Sequence, residues 1–206
     1  MFITVEGGDG VGKSTQVGLL AQDLAARGYD VHRTFEPGDT PLGAELRRLV
    51  QHSDDMAART EALLYAADRA EHVARVIRPK LAAGCIVLCD RYIDSSVAYQ
   101  GEARGLGPDQ IRELSLFATE HLVPNLTLLL DLDPERAAAR RTGVPDRLER
   151  EDLSFHRRVR ERFLAAAAAD PGRYVVLDAS RPIEEVFGQL RDAVLTRLQD
   201  GGSRQP

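Results

Sequence analysis

Eight residues near the start of the chain, Gly7-Gly8-Asp9-Gly10-Val11-Gly12-Lys13-Ser14, fit the spacing G-x-x-x-x-G-K-[ST]. Each position suits the handling of phosphate. Glycines let successive backbone N–H groups converge on one anion without a Cβ in the way. Lys13 can reach the β- and γ-phosphates of a nucleotide, and the Ser14 hydroxyl can ligate the Mg²⁺ that travels with them. A helix that begins here adds the positive end of its dipole. Gly7 to Ser14 and the adjoining Thr15 are therefore the expected nucleotide-phosphate site.

Two further groupings could do chemistry. In Asp90-Arg91-Tyr92-Ile93-Asp94-Ser95-Ser96-Val97-Ala98-Tyr99-Gln100-Gly101, Asp90 can hold Mg²⁺ directly or through water, or can hydrogen-bond Ser14. Arg91 offers a planar fork for a phosphate, or a surface ion pair. Tyr65 and Arg69 are four apart on a helical pattern and share a face. A ring beside a guanidinium can stack on a base and hydrogen-bond its edge, or it can simply be packing.

These groups need a frame to converge. Strand-like runs at 2–6, 30–34, 85–89, 126–131 and 173–177 alternate with helical patterns near 13–27, 41–51, 57–82, 108–122, 134–141, 150–169 and 182–199. That alternation predicts an α/β fold, a parallel sheet with helices on both faces. Ligands then sit beyond the carboxyl ends of the strands, where the groupings above fall. Ser180 is the expected N-cap of the last helix, with Pro182 in its first turn. Residues 1–199 are read as one domain and 200–206 as a disordered tail. Cys85 and Cys89 lie in one apolar run, too far apart to bridge on a strand, and read as buried free thiols. The net charge of −5 argues against a nucleic-acid surface. No apolar stretch approaches the ~20 residues of a membrane span, and the chain enters a strand without a signal-peptide pattern, so a cytoplasmic location and no membrane partner are expected.

The loop from Glu6 to Thr15, the turn Glu36-Pro37-Gly38, the run Tyr65-Ala66-Ala67-Asp68-Arg69-Ala70-Glu71-His72 and the Asp90–Gln100 block together resemble the bacterial thymidylate kinase family, in the right order and over roughly 1–199. The resemblance implies a five-stranded parallel sheet with a short lid, ATP and Mg²⁺ as cofactors, dTMP as the other substrate, and a homodimer. It implies Tyr65 stacked on thymine and Arg69 bonded to a base carbonyl. Ser96 and Gln100 would lie near the pyrimidine, and Tyr99 against the sugar. Asp9 would stand over the acceptor's sugar and phosphate, with Arg91 and Arg47 on that phosphate and Glu36 and Pro37 in the adjoining turn. The segment 140–150 resembles the family's lid. Because Gly10 stands where some members carry an arginine, the catalytic charge is expected from Arg141 and Arg147, with Arg140 close behind. Ser180 falls in a loop that borders adenine in the family. Two positions depart from the family turn: Phe35 replaces an arginine, and Asp39 replaces a glycine and adds negative charge near the acceptor phosphate.

The implied reaction is transfer of the γ-phosphoryl group of ATP to the 5′-phosphate of dTMP. Catalysis would come from positioning and charge neutralisation by Lys13, Mg²⁺, Arg91 and the lid. A deoxynucleoside kinase would need a base for a neutral hydroxyl, whereas the arginines favour an anionic acceptor. A guanine-specific switch would show Asn-Lys-x-Asp after a strand, and no such run exists. An inactive homologue is favoured only by Phe35 and Asp39.

Overall fold

The computed structural model describes residues 1–53, 55–141 and 144–202. Five strands form one parallel sheet: β1 (Phe2–Glu6), β2 (Val31–Phe35), β3 (Ile86–Asp90), β4 (Leu126–Asp131) and β5 (Tyr174–Asp178), in the order β2-β3-β1-β4-β5. Each strand starts within one residue of its expected position. The register Ile3↔Leu88 and Ile3↔Leu126 puts β1 at the centre. All five of its residues are buried, as a strand covered on both faces requires.

Ile3 and Val5 point to one side, where they pack with Val17, Leu20 and Leu24 of α1 (Lys13–Ala26) and Leu190 and Val194 of α9 (Ile183–Gly202). Alternation sends Phe2 to the other side, against Tyr92, Val97 and Ile111. Phe2 and Tyr92 meet edge to face at 4.9 Å. A third cluster under β4 joins Tyr99 to Phe155, Val159 and Phe163 of α8 (Leu153–Ala169).

The remaining helices are α2 (Pro41–His52), α3 (Ala58–His72), α4 (Arg78–Ala82), α5 (Ile93–Ser96), α6 (Pro108–Ala118) and α7 (Pro134–Ala138). A π-helical stretch, Val73–Ile77, joins α3 to α4, and another, Val97–Ala103, prolongs α5. The second is a correction. The segment after β3, for which the sequence showed no helical pattern, is helical from Ile93 through Ala103. Ile93 and Val97 bury one face in the core, while Ser96 and Gln100 face the opposite way, toward the strand ends.

Helix boundaries also differ, with α6 ending at Ala118 and α8 starting at Leu153. The last helix starts at Ile183 and carries on to Gly202, so 200–202 are helical, and 203–206 lie outside the described residues. Ser180 is too early to cap it: the Pro182 carbonyl takes the first helical amides, from Glu185 and Val186, and the Ser180 amide donates to Asp178 Oδ1. Cys85 and Cys89 are free and buried as expected, with Cys85 just ahead of β3. No described helix is long and apolar enough to cross a membrane.

Candidate active site

Strand order reverses at β1, whose neighbours β3 and β4 lead to opposite edges of the sheet. The crevice at that switch point is where a ligand of an open α/β sheet belongs. A cavity of about 760 Å³ opens there, running from Lys13 and Ser14 at one end to Tyr65, Arg69 and Gln100 at the other.

The loop between β1 and α1 is built for close approach. Gly10 has φ +83°, and a Cβ there would lie 2.3 Å from the Ala137 carbonyl oxygen. Gly12, at φ +99°, is the N-cap of α1 and brings no side chain to the helix's first amides. Those donors are left for an anion. Lys13 Nζ donates to the Gly7 and Gly8 carbonyls at 3.2 and 2.6 Å. Burial, with Arg91 nearby, lowers its pKa to about 8. Ser14 Oγ donates to Asp90 Oδ2 at 2.7 Å. A hydroxyl and a carboxylate are hard oxygen donors that suit Mg²⁺, and no group of three or more His, Cys, Asp or Glu that could hold a metal occurs among the described residues. Such a pair fits an ion that takes its other ligands from phosphates and water. Gly7, Gly8 and Val11 line a smaller pocket behind the loop rather than the main cavity.

Asp9, Arg91 and Tyr99 lock together. Arg91 Nη2 donates to Asp9 Oδ1, and Tyr99 Oη donates to Asp9 Oδ2 at 2.7 Å. Burial would raise the Asp9 carboxyl, but Arg91, Lys13 and the Tyr99 bond outweigh it and hold it at about 2. Arg91 also donates to Ser95 Oγ at 3.0 Å and lies over the Tyr99 ring at 5.1 Å. Ser95 Oγ donates in turn to Glu6 Oε2, and the Tyr92 amide donates to Glu6 Oε1 at 2.8 Å. Burial first, then Asp94, pushes Glu6 up to about 7.

At the far end every guanidinium nitrogen of Arg69 donates once: Nε to Glu36 at 2.7 Å, Nη1 to Ser115 Oγ at 3.2 Å and Nη2 to the Tyr92 carbonyl at 3.1 Å. Nη1 and Nη2 each keep a further N–H. His72 Nδ1 is 2.9 Å from Glu36 Oε1, and its Nε2 meets Thr34 Oγ1. Tyr65 is half-buried in the wall of the cavity, with Ser96 and Gln100 also lining it.

The family model for thymidylate kinase matches residues 5–190. The chain belongs to the thymidylate kinase family. It is 58% identical over 196 residues to a thymidylate kinase of Leifsonia xyli subsp. xyli, covering 93% of this chain and 92% of that one. It is 52% identical to a thymidylate kinase of Clavibacter michiganensis subsp. michiganensis over 98% of each chain. A crystal structure of thymidylate kinase from Ehrlichia chaffeensis superposes with a TM-score of 0.81 at 32% identity, covering 94% of this chain and 98% of that one. The parallel five-stranded fold and the kinase class expected from the sequence are thus the family's.

Most residues singled out for the site meet in one cavity: Asp9, Gly10, Gly12, Lys13, Ser14, Thr15, Glu36, Pro37, Arg47, Tyr65, Arg69, Asp90, Arg91, Ser96, Tyr99, Gln100 and Arg140 all line it. The lid divides. Arg140 Nη1 donates to the Ala179 carbonyl at 2.9 Å, which ties it to the loop carrying Ser180, although Ser180 itself is not among the lining residues. Arg141 lies against the phosphate loop but lines the smaller pocket behind it rather than the main cavity: a Cβ on Gly10 would meet its Cγ at 3.0 Å, and its Nη1 donates to the Glu149 carbonyl at 3.0 Å. Arg147 does not line the cavity. Its Nε donates to the Val50 carbonyl at 3.1 Å and its Nη1 pairs with Glu61 at 2.6 Å, so it ties the lid to the end of α2 and to α3. Thr142 and Gly143, inside the expected lid, lie outside the described residues.

The two departures from the family turn have partners. The Phe35 ring lies 5.6 Å from the Arg47 guanidinium, whose Nη1 also donates to the Pro37 carbonyl at 2.7 Å. Asp39 lines the cavity and accepts from Thr34 Oγ1. Glu6, Glu61 and Ser95 were not foreseen. Glu6 could have been found, as a carboxylate ending a buried strand just before the glycine loop. Glu61 precedes Tyr65 by one helical turn, but nothing in the sequence announces Arg147 and Gln100 as its partners.

Proposed function

We propose that this enzyme phosphorylates dTMP to dTDP with ATP and Mg²⁺, by direct in-line transfer of the γ-phosphoryl group to the 5′-phosphate, in dTTP biosynthesis. The observation that carries the reading is the single cavity joining the loop of Lys13 and Ser14 to the Tyr65, Arg69 and Gln100 end. ATP phosphates fit the loop, with Gly7 to Thr15 supplying backbone amides and the α1 dipole. Adenine would lie near Arg140 and the Ser180 loop. The thymine fits the far end, stacked on Tyr65 with Arg69 toward a carbonyl. Between them stand Arg91, Arg47 and Asp9, where the acceptor phosphate would lie.

The acceptor oxygen is already ionised, so no general base is required. Lys13 neutralises charge on the donor phosphates, and Arg91 orients the acceptor while the Asp9 and Tyr99 bonds fix its guanidinium. Tyr99 crowds the sugar where a ribose 2′-hydroxyl would point. Arg141, already against the loop, and Arg140 are the lid charges placed for the transferring group. Arg147 would have to leave Glu61 to join them. Ser14 and Asp90 would hold Mg²⁺, which would supply charge neutralisation to the phosphates. Cytoplasmic residence and a homodimer belong to the same proposal, the dimer being read out by light scattering.

The test is ADP release with ATP and Mg²⁺ against thymidylate, deoxyuridylate, deoxycytidylate, deoxyguanylate, uridylate and thymidine. A strong preference for thymidylate is expected. Turnover of thymidine alone would make the protein a nucleoside kinase. No turnover with ATP still bound would mean that Phe35 and Asp39 have cost it the reaction.

A further inference from the structure

Gln100 lines the far end of the cavity and is 1% exposed. Its Nε2 donates to Glu61 Oε1 at 2.7 Å. Glu61, on α3 one turn before Tyr65 and two before Arg69, is fully buried. Arg104 Nε donates to the same carboxylate at 3.3 Å, and Arg147 Nη1 forms an ion pair with it at 2.6 Å. Every group around Glu61 is a donor, so the Gln100 amide must present its NH₂ there and its carbonyl oxygen elsewhere. That oxygen has no hydrogen-bond partner among the described residues, and its side chain lines the cavity.

We propose that Glu61 is a positioning residue for base selection: by holding the Gln100 NH₂, it fixes the Gln100 oxygen as an acceptor facing the base. The inference rests on the far end of the cavity being the pyrimidine site. With Arg69 a donor only, the wall then offers a donor and an acceptor in fixed places. A 4-keto pyrimidine answers both, giving its carbonyl to Arg69 and its ring N–H to Gln100. Cytosine opposes both, its bare ring nitrogen meeting the Gln100 oxygen and its amino group meeting Arg69. Uracil carries the same edge as thymine, so Glu61 separates keto from amino pyrimidines and does not sense the methyl group.

Steady-state kcat/KM for dTMP and dCMP at saturating ATP, on the full chain and on Glu61→Gln and Arg104→Met, tests this. An amide at position 61 can show Gln100 either its oxygen or its NH₂, so orientation is no longer dictated. The dTMP-to-dCMP selectivity of Glu61→Gln is expected to fall about tenfold or more, the scale of one mispaired buried hydrogen bond. Arg104→Met removes a cation from the same carboxylate, keeps the Gln100 bond, and is expected to leave the ratio unchanged. A preserved ratio in Glu61→Gln, beside a wild type that prefers dTMP, overturns the inference and leaves the function standing. An equal fall in Arg104→Met also overturns it, by tracing the loss to the charge cluster rather than to orientation. A wild type without preference between the two acceptors sinks the base-site reading and this inference together. Should Glu61→Gln fail to fold, proton NMR of the wild type with dTMP carries the test. A ring N–H signal protected from exchange is expected, and one exchanging as in free dTMP overturns the proposal.

Discussion

Lys13 illustrates how much of this site is set by single residues. A buried ammonium with Arg91 for a neighbour gives up its proton more readily, and its pKa of about 8 falls close to neutral. The protonated form binds phosphate, so the charge is present below about pH 8 and is lost above it. kcat/KM for ATP, which reports the free enzyme, is expected to decline as pH rises through that value; a flat profile to pH 10 would contradict it. The two lid arginines separate by experiment. Arg141→Met is expected to lower kcat on the order of 10²–10³-fold with little change in unfolding free energy. Arg147→Met should do the reverse, lowering stability by about 2 kcal/mol in urea titrations, because Glu61 stays buried with only Arg104 and Gln100 for partners. Asp39 adds negative charge to the lining of the cavity, and Asp39→Gly is expected to lower the KM for dTMP several-fold, up to about tenfold. At this scale the loop between β1 and α1 was legible as an element, because its residues are contiguous, although Gly7, Gly8 and Val11 line the smaller pocket behind it rather than the main cavity. The Glu61 cluster was not, since its members come from α3, the end of the 97–103 helix and the lid, and sequence spacing carries no trace of such a meeting.

Among the elements, the inner strands β1, β3 and β4 were legible because each is a short apolar run between turn signals, and burial on both faces removes any competing pattern, whereas the edge strands β2 and β5 are only partly buried and were marked mainly by their place in the alternation. The helix from Ile93 to Ala103 was hidden for the opposite reason. Its cavity face is polar and its apolar face is sparse, so chemistry obscured periodicity. The π-helical turn there places Ser96 and Gln100 along one wall of the cavity, which fits the tendency of such turns to occur at functional sites. The phosphate loop and α7 are fitted to each other as tightly as any two elements. Gly10→Ala would press a methyl group onto the Ala137 carbonyl from a backbone conformation alanine avoids. It is expected to destabilise the fold by about 1–3 kcal/mol and to raise the ATP dissociation constant, both checkable by calorimetry.

For the molecule as a whole, acid groups buried under the sheet set how stability responds to pH. Burial pushes Glu6 to about 7 in the folded chain, against about 4.5 for an ordinary glutamate, so the folded state holds a proton that the unfolded state releases. A raised carboxyl favours folding while protonated, and that advantage disappears as pH climbs from about 4.5 to about 7. The melting temperature of the wild type relative to Glu6→Gln should therefore fall over that range and level off above it. The comparison with the variant isolates Glu6 from His32 and His156, whose burial lowers their pKa and gives the opposite slope.

Arg147 belongs to the lid, yet the carboxylate it holds is the one that also holds Gln100. The two ends of the cavity therefore share a balance of energies. A ligand at the nucleotide end that drew Arg147 off Glu61 and thereby shifted Gln100 would change the hold on the base by some factor. The base, once seated, must then change the hold on the nucleotide by the same factor. Order of substrate addition and strictness toward the base become two readings of one coupling, with Glu61 as the place where both are measured.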